Sequence, residues 1–462
     1  MPVQKFVPMT KNFATFDCDA HVSEPPWLWD RAKDNLSRRE LRALEDTMWY
    51  DSESRQLIVN GKAGFGAITW QPMGGRAGTL NLLSVAGPGL KHDIQRTLNV
   101  RNLHSKTALT QEQAAYLDHR GAYEPKPRLR DMDIQGIDQV MIIPSDIDTY
   151  PWLQNDLGAK AMCKAYNEWA YEYCQENPER LYFAALLPLQ NPKFAAEEVY
   201  RVADKGCRVG LIRPIDALGN YPVQPKYEPV WRAMEETGVV YGMHPFPATG
   251  SLKPAGYTEQ HSGAELIEWS IVSSGVGQLF LTNVQNFQAE AALWVTLVLM
   301  SGFFERFPKI RAAVFEASST WLSFLLDECD KNHRLYRNDR KRYPLKRMPS
   351  ETFFTHCVTG FEGDEAPPSR LPEFYGDILA WSSDVYHHDG DDAWRAIETM
   401  RKCELPESYQ AKFLGDNARR LYRIKPPARF IQDRITEIER PDWWPTDDEV
   451  KQALRPEAAL RR

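Results

Sequence analysis

Short apolar runs recur along the chain, separated by stretches in which apolar residues are spaced as in an amphipathic helix. Most of these runs are nearly continuous rather than alternating, which is typical of strands buried on both faces of a parallel sheet. We predict eight such strands, at Phe13–His21, Ile137–Ser145, Leu181–Leu189, Arg208–Ile215, Val239–Phe246, Ile310–Ser318, Phe353–Gly360 and Ile378–Val385.

Helical patterns lie between most of the predicted strands. One of them begins on Pro229 and stops before Gly238, the arrangement expected of helix ends. The alternation of strand and helix predicts an α/β fold, a (β/α)8 TIM barrel. The predicted helices are Asp156–Glu176, Pro192–Lys205, Pro229–Thr237, Trp321–Asn332 and Asp392–Lys402.

Two segments do not fit this alternation. Residues 30–136 are too long for a loop between the first two strands, and they contain a hairpin pattern with Asn60-Gly61 beyond its second arm and a Gly-rich stretch at 71–80. We therefore expect residues 1–29 to hold the first strand, 30–136 to form an inserted lid subdomain and 137–423 to complete the barrel. We expect the C-terminal extension, 424–462, rich in Pro and aromatic residues, to wrap the domain or a second subunit.

Charge and composition exclude several classes of protein. The net charge of −7 over 462 residues, with both signs scattered, gives no basic surface for nucleic acid. The longest apolar stretch, Ala291–Phe304, is shorter than the about 20 residues that cross a bilayer, so we expect a buried helix and no membrane partner. The N-terminus shows no signal-peptide pattern. Seven scattered cysteines without a C-x-x-C pair indicate a reduced, cytoplasmic protein.

Ionisable side chains stand at the carboxyl ends of several predicted strands, where barrels of this kind carry their active sites. Asp19 and His21 are two positions apart on a strand and therefore point the same way. A mixed set of carboxylates and imidazoles at one rim is suited to a divalent cation. The strand ends concerned carry Asp17, Asp19 and His21 (first), His244 (fifth), Glu316 (sixth) and Asp384 (eighth).

Several strings around these residues are those of a known family. The strings are D-C-D-A-H-V-S-E-P on the first strand, H-P on the fifth and S-S-D-V-Y-H-H-D-G on the eighth, with R-D-M-D-I-Q-G-I-D-Q-V-M-I-I-P-S, F-F-E-R-F-P-K-I-R, F-E-A-S-S-T-W-L and L-G-D-N-A-R-R-L-Y in order between and after them. The chain thus resembles the amidohydrolase superfamily, in the amidohydrolase-related branch that includes aminocarboxymuconate semialdehyde decarboxylase. The resemblance covers roughly residues 13–25 and 128–423.

The resemblance implies a single divalent ion held by Asp19, His21, His244 and Asp384. Zinc is the ion the family favours, with iron(II) or manganese(II) open. In hydrolytic members, the residue matching Asp384 also takes a proton from the metal-bound water. This chain departs from the family at two positions: Asp19 replaces the first histidine of the H-x-H pair, and Glu316 replaces the sixth-strand histidine that serves as acid and base in family decarboxylases.

Other residues have supporting roles that the sequence leaves open. Asp17 is either a competing ligand or a carboxylate that orients an imidazole, and Glu24 is expected to support the site. Glu316 is a base, an extra ligand or a buried ion-pair partner. The alternative for Asp384 is a helix N-cap. Further candidates are His387, as a catalytic group matching a family histidine, and Arg213 and Arg76, as groups that grip an anionic part of the substrate.

Three functions follow from this pattern. We expect a metal-dependent hydrolase in which metal-bound hydroxide attacks an activated carbonyl (amide, ester, thioester or C–C bond) of a bulky, hydrophobic small-molecule substrate. The first alternative is a metal-dependent non-oxidative decarboxylase, against which the missing histidine at position 316 counts, although His387 could take over the proton transfer. The second is an inactive binding barrel without an ion. The resemblance also implies a homodimer.

Overall fold

The computed structural model describes residues 3–51, 56–63, 120–145, 147, 150–151, 153–213, 220–245, 284–339, 345–386 and 390–453. The strands are β1 (Val3–Lys5), β2 (Phe16–His21), β3 (Met48–Asp51), β4 (Gln56–Val59), β5 (Lys62–Ala63), β6 (Gln139–Ile143), β7 (Leu181–Leu186), β8 (Val209–Ile212), β9 (Val240–Met243), β10 (Ala312–Val314), β11 (Cys357–Glu362), β12 (Leu379–Ser382) and β13 (Glu437–Glu439).

Helices follow the strands of the largest sheet. They are α1 (Pro26–Asn35), α2 (Arg38–Glu45), α3 (Pro125–Gln135), α4 (Asp156–Cys174), α5 (Pro192–Asp204), α6 (Glu228–Thr237), α7 (Asn286–Met300), α8 (Phe303–Arg306), α9 (Trp321–Tyr336), α10 (Pro349–His356), α11 (Ala366–Ser369), α12 (Pro372–Tyr375), α13 (Ala393–Lys402), α14 (Glu407–Ala411), α15 (Asn417–Tyr422) and α16 (Asp447–Ala453).

Eight parallel strands form the barrel, in the hydrogen-bonded order β2, β6, β7, β8, β9, β10, β11, β12. Strands β2, β6, β8, β9 and β12 are buried along their whole length, as continuous apolar runs require when helices cover the sheet. The interior is tightly filled, since a Cβ added at Gly242 would lie 2.6 Å from Val209 and 2.9 Å from the ring of Phe315. The predicted (β/α)8 TIM barrel is confirmed.

The seventh barrel strand begins later than the sequence pattern suggested. Residues 353–356, placed in a strand by their apolar character, form the last turn of α10, and β11 starts at Cys357. Pro349 occupies the first turn of α10, where its missing N–H costs nothing. A short apolar run by itself fits either a strand or a buried helix turn. Here Pro349, four residues before the run, was the signal that indicates a helix.

Residues 30–136 begin within α1 and contain further helices and strands that are not part of the barrel. The segment includes α2, a three-stranded antiparallel sheet of β3, β4 and β5, and α3, which leads into the second barrel strand. Met48 pairs with Val59 in the predicted hairpin, and Asn60 and Gly61, with φ of 49° and 76°, turn the chain from β4 into β5. The Gly-rich stretch 71–80 lies outside the described residues, and the assignment of this segment as a lid stays a prediction.

The two ends of the chain meet beneath the barrel. Strands β1 and β13 pair antiparallel, and Thr10 bridges to Asp433. The backbone N–H of Ile431 donates to the carboxylate of Asp138, the residue before β6. The described part of the extension therefore contacts the N-terminal segment and the residue before β6, and its role, around its own domain or against a second subunit, stays a prediction. Within the described part of the chain, every helix is too short or too polar to cross a membrane.

Candidate metal centre

The end of β2 presents Asp19 and His21 to the barrel mouth, both buried. Nδ1 of His21 lies 2.9 Å from the carbonyl oxygen of Pro144 and 3.0 Å from Oγ of Ser145. Because a carbonyl can only accept, Nδ1 carries the proton in this arrangement, and Nε2 is the nitrogen with a lone pair for a metal. The loop after β6 thus sets the tautomer of the histidine on β2.

The end of β9 supplies the second imidazole. Nδ1 of His244 lies 2.6 Å from the carbonyl oxygen of Pro245, which again leaves Nε2 as the donor atom directed at the site. This Nε2 lies 3.8 Å from Oδ2 of Asp19 and 3.4 Å from Oε2 of Glu316. The fifth and sixth barrel strands therefore deliver an imidazole and a carboxylate to the same place.

Donor atoms of Asp19, His21 and His244 all lie within 4.8 Å of one another. Two further carboxylates flank this group: Oδ1 of Asp384 lies 3.3 Å from Nε2 of His21, and Glu316 stands beside His244. Ligands at about 2.0–2.2 Å from one ion are separated by distances of this order. The donor set of nitrogen and oxygen atoms therefore fits a divalent cation, and its three carboxylates supply the negative charge that such an ion offsets.

Two of these carboxylates sit on backbone of unusual conformation. Asp384 and Glu316 have φ of 53° and 41°, in the left-handed region that only a minority of non-glycine residues occupy. Strain of this kind persists where the surroundings hold it, often at functional sites. Gly390 permits the bend at Asp384, because a Cβ there would lie 2.8 Å from the Asp384 carbonyl oxygen.

Asp17 faces the junction of β2 and β12. Its Oδ1 accepts from the N–H groups of Ser383 at 3.0 Å and Asp19 at 3.2 Å, and its Oδ2 accepts from Oγ of Ser383 at 2.5 Å. Burial raises the pKa of Asp17 to about 7, against the hydrogen bonds from Ser383, which lower it. These contacts favour the supporting role over that of a competing ligand, because both oxygens of Asp17 accept from Ser383, the residue before Asp384.

Glu24 is connected to His21 through hydrogen bonds of one intermediate residue, Ser145. Its Oε1 accepts from the N–H of Ser145, and the hydroxyl of Ser145 contacts Nδ1 of His21. These contacts are compatible with the supporting role, which stays a prediction for Glu24.

Arg213 follows β8 and stands beside His244, because the preceding residues Ile212 and Met243 pair in register. Its Nε donates to Oε1 of Glu290 on α7 at 2.9 Å, and both side chains are buried. Arg213, the fourth-strand candidate for binding an anionic group, therefore lies next to the donor cluster and is paired with Glu290. The other two candidates, Arg76 and His387, lie outside the described residues.

Sequence reasoning missed several residues that shape the centre. Ser383 belongs to the S-S-D-V-Y-H-H-D-G string, so it lay inside a recognised motif. Glu290 had a weaker signal, as the single charged residue of α7. Pro144 and Ser145 end the string R-D-M-D-I-Q-G-I-D-Q-V-M-I-I-P-S, but the string does not show that a carbonyl and a hydroxyl there contact His21.

Comparison with known proteins agrees with the motif resemblance. A family model described as Amidohydrolase matches residues 16–424. A gamma-resorcylate decarboxylase from Rhizobium sp. (strain MTP-10005) is 24% identical over 317 residues, which cover 67% of this chain and 90% of the relative.

Solved structures share the fold at lower identity. An amidohydrolase from Mycobacterium avium subsp. paratuberculosis K-10 superposes with a TM-score of 0.63 at 18% identity, covering 89% of this chain and 99% of the other. A 5-carboxyvanillate decarboxylase from Sphingomonas paucimobilis gives 0.56 at 17% identity, covering 90% and 100%. A dihydroxybenzoic acid decarboxylase from Polaromonas sp. JS666, with bound manganese and the inhibitor 2-nitroresorcinol, gives 0.54 at 16% identity, covering 89% and 97%.

Proposed function

Since the chain belongs to the amidohydrolase family, a family of enzymes, we propose that it is a divalent-metal-dependent, non-oxidative decarboxylase of hydroxylated aromatic carboxylic acids. The gamma-resorcylate and 5-carboxyvanillate decarboxylases to which it is similar act on acids of this class. These relatives favour the decarboxylase alternative over the hydrolase that the sequence placed first. A small-molecule substrate agrees with both interpretations.

The observation that carries the proposal is the convergence of buried donor atoms from strands far apart in sequence. Asp19, His21 and His244, with Asp384 beside His21, would hold the ion. We propose manganese(II), which is bound in two decarboxylases of similar fold and which accepts a donor set rich in carboxylates. The zinc expected from the resemblance is not confirmed.

The bound ion would supply positive charge for the carboxylate of the substrate and the hydroxyl next to it. The reaction also needs a proton on the ring carbon that carries the carboxylate, and we assign that proton to Asp384, at the edge of the donor cluster. When the carbon–carbon bond breaks, its electron pair remains on the ring, the proton takes the place of the carboxylate and CO₂ leaves. Asp384 then regains a proton from solvent, so one proton is consumed for each CO₂.

Glu316 occupies the position at which the resemblance places a catalytic histidine. Its carboxylate lies 3.4 Å from Nε2 of His244, so we assign it to the ligand side of the centre, as an extra ligand or a carboxylate that holds His244. Asp384, to which the resemblance gives both roles, ligand and proton carrier, is then the main proton donor, with His387 as a second candidate. Arg213, held by Glu290, is our candidate for an anionic substituent on the substrate, and Arg76 is a weaker one.

The test uses the full chain, stripped of metal with a chelator and reloaded with Mn²⁺, and gamma-resorcylate, 5-carboxyvanillate and simple ortho-hydroxybenzoates as substrates. We expect metal-dependent release of CO₂ and, in D₂O, one deuterium on the ring carbon that lost its carboxylate. A parallel reaction in ¹⁸O-labelled water with esters and amides examines hydrolysis.

Each alternative has its own outcome. Labelled oxygen in the product without CO₂ would establish hydrolysis and reject the proposal. Failure to retain or regain any divalent ion would support the inactive binding barrel instead.

A further inference from the structure

The barrel closes between its first and last strands, β2 and β12, which stand at the two ends of the hydrogen-bonded strand order. At the mouth, the two strands are joined by the N–H of His21 donating to the carbonyl of Val385 at 2.5 Å and the N–H of Asp384 donating to the carbonyl of Asp19 at 3.0 Å. This junction, which we call the seam, contains three of the four proposed metal ligands. A shift of one strand against the other would therefore separate Asp384 from His21.

Helix α3 packs across the seam with two side chains one turn apart. Arg128 donates from Nη1 to the carbonyl of His21 at 2.9 Å, and its guanidinium lies 4.6 Å from the ring centre of Tyr386. Asp131, three residues later and so on the same face of the helix, accepts from the hydroxyl of Tyr386 at 3.0 Å. One helix thereby holds the end of β2 through Arg128 and the chain beyond β12 through Tyr386.

We call the contacts of Arg128 with the carbonyl of His21 and the ring of Tyr386 the clamp. The chemistry of these contacts is specific to an arginine. The side chain of Arg128 is 2% exposed, and a flat guanidinium can donate to a carbonyl with its edge while its face lies on an aromatic ring. A lysine in the same place offers a point charge that cannot do both at once.

From these contacts we infer that Arg128 is a positioning residue for the metal centre, acting through the backbone of His21 and the ring of Tyr386 to hold the ligands of β2 and Asp384 in register. This inference rests on the proposed metal site and is independent of the reaction performed there. Residues that orient metal ligands typically contribute about 10–100-fold to metal affinity, and Arg128 belongs in that range because it acts on two ligand-bearing strands.

The experiment measures the dissociation constant for Mn²⁺ on the metal-free full chain, by the electron paramagnetic resonance signal of free Mn²⁺ and by competition with a chelator dye. Arg128→Met is expected to weaken binding about 10–100-fold. Arg128→Lys, which keeps the charge, is expected to weaken it by at least about 3-fold, since it loses the stacking geometry. Measurements are made well below the melting temperature of each variant.

Arg419 provides the matched control, a buried arginine with a purely structural setting. It donates to the carbonyl of Thr15 at 2.9 Å and to Oε1 of Gln139 at 2.8 Å, at the opposite end of β2 and β6. Arg419→Met should lower the melting temperature while the Mn²⁺ dissociation constant stays within about twofold of that of the unchanged protein.

The outcomes separate the inference from the proposed function. If the unchanged protein binds no Mn²⁺, the proposed metal site itself fails. If the unchanged protein binds and Arg128→Met binds equally well, only the role of Arg128 is overturned. Should Arg128→Met not fold, Arg128→Lys decides: affinity within twofold of the unchanged protein refutes the inference, and weaker affinity supports it.

Discussion

The two ends of the barrel both bury charge, in opposite ways. At the base, Nζ of Lys11 lies 2.5 Å from Oδ2 of Asp138, and the same carboxylate accepts from Thr15 and Ile431. At the mouth, the carboxylates of Asp19, Asp384 and Glu316 gather around two imidazoles. Positive and negative charges match at the base, whereas the mouth concentrates negative charge that a bound cation would offset. We therefore expect the charges at the base to stabilise the folded protein. We expect the carboxylates at the mouth to destabilise it in the absence of metal, as functional groups often do.

The same substitution of a carboxylate should therefore have different effects at the two ends of the barrel. Removing a carboxylate from the mouth relieves repulsion between like charges, so it should affect chemistry while leaving the fold intact. Removing one at the base leaves a buried cation without its counter-charge, which is costly because the desolvation of that cation is no longer offset.

The largest expected effect is on Asp384. Asp384→Asn keeps the shape of the side chain but cannot carry the proton, so we expect kcat for CO₂ release to fall about 10²–10⁴-fold. Glu316→Gln should reduce kcat less, because we place Glu316 on the ligand side of the centre. Steady-state kinetics of Mn²⁺-loaded protein and thermal melting of the metal-free protein measure the two consequences.

The melting temperature of metal-free Asp384→Asn should equal or exceed that of the unchanged protein. A drop of many degrees would mean that Asp384 is a structural carboxylate, and the contrast between mouth and base would fail. A larger loss of kcat in Glu316→Gln than in Asp384→Asn would move the proton donor to the sixth strand.

The next effect belongs to the base. Asp138→Asn leaves the ammonium of Lys11 buried without its counter-ion, and we expect a loss of about 3–5 kcal/mol in the free energy of unfolding. The double variant Lys11→Met with Asp138→Asn removes both charges and should recover part of that loss. Urea denaturation at pH 7 measures both.

Decarboxylase activity per folded molecule should be unchanged in these base variants, because neither residue contributes to the donor cluster. Equal destabilisation in the single and double variants would show that the hydrogen bonds of Asp138, rather than its ion pair, stabilise the base.

The sequence predicted the mouth far better than the base. Asp19, His21, His244 and Asp384 each follow an apolar run, so the rule that barrel sites lie at strand ends was enough to group them. Lys11 and Asp138 are single charges beside strands, 127 positions apart in the sequence, and no local pattern marks such a pair. The same limit hid the partnership of Arg213 with Glu290 and the clamp of Arg128 on Tyr386, because both depend on how helices pack against the strands.

Two neighbouring aspartates test whether the position of a buried carboxylate in the barrel or its pairing with a cation decides how it behaves. Asp391 and Asp392 follow the eighth strand near the mouth, yet each has an arginine nearby: Arg395 lies 2.9 Å from Asp391, and Arg434 lies 3.9 Å from Asp392. Burial raises the pKa of Asp391 to about 8, with repulsion from Asp392 adding to the shift, and raises that of Asp392 to about 6. Burial therefore outweighs the lowering effect of the two arginines on these pKa values.

The smallest expected effect is the pH dependence of stability that this pair contributes. With folded-state pKa values above the ordinary 3.8 of aspartate, the folded protein retains protons that the unfolded chain has released. The stabilisation is therefore complete below about pH 4 and is lost as the pH rises through about 6 and then about 8. Asp391→Asn removes the group with the higher pKa, so the unfolding free energy of the variant should fall less between pH 5 and 8 than that of the unchanged protein. Urea denaturation of both metal-free proteins at four pH values gives the two slopes. Parallel slopes would mean that Arg395 keeps Asp391 ionised in the folded state, and pairing rather than location would then decide how a buried carboxylate near the mouth behaves.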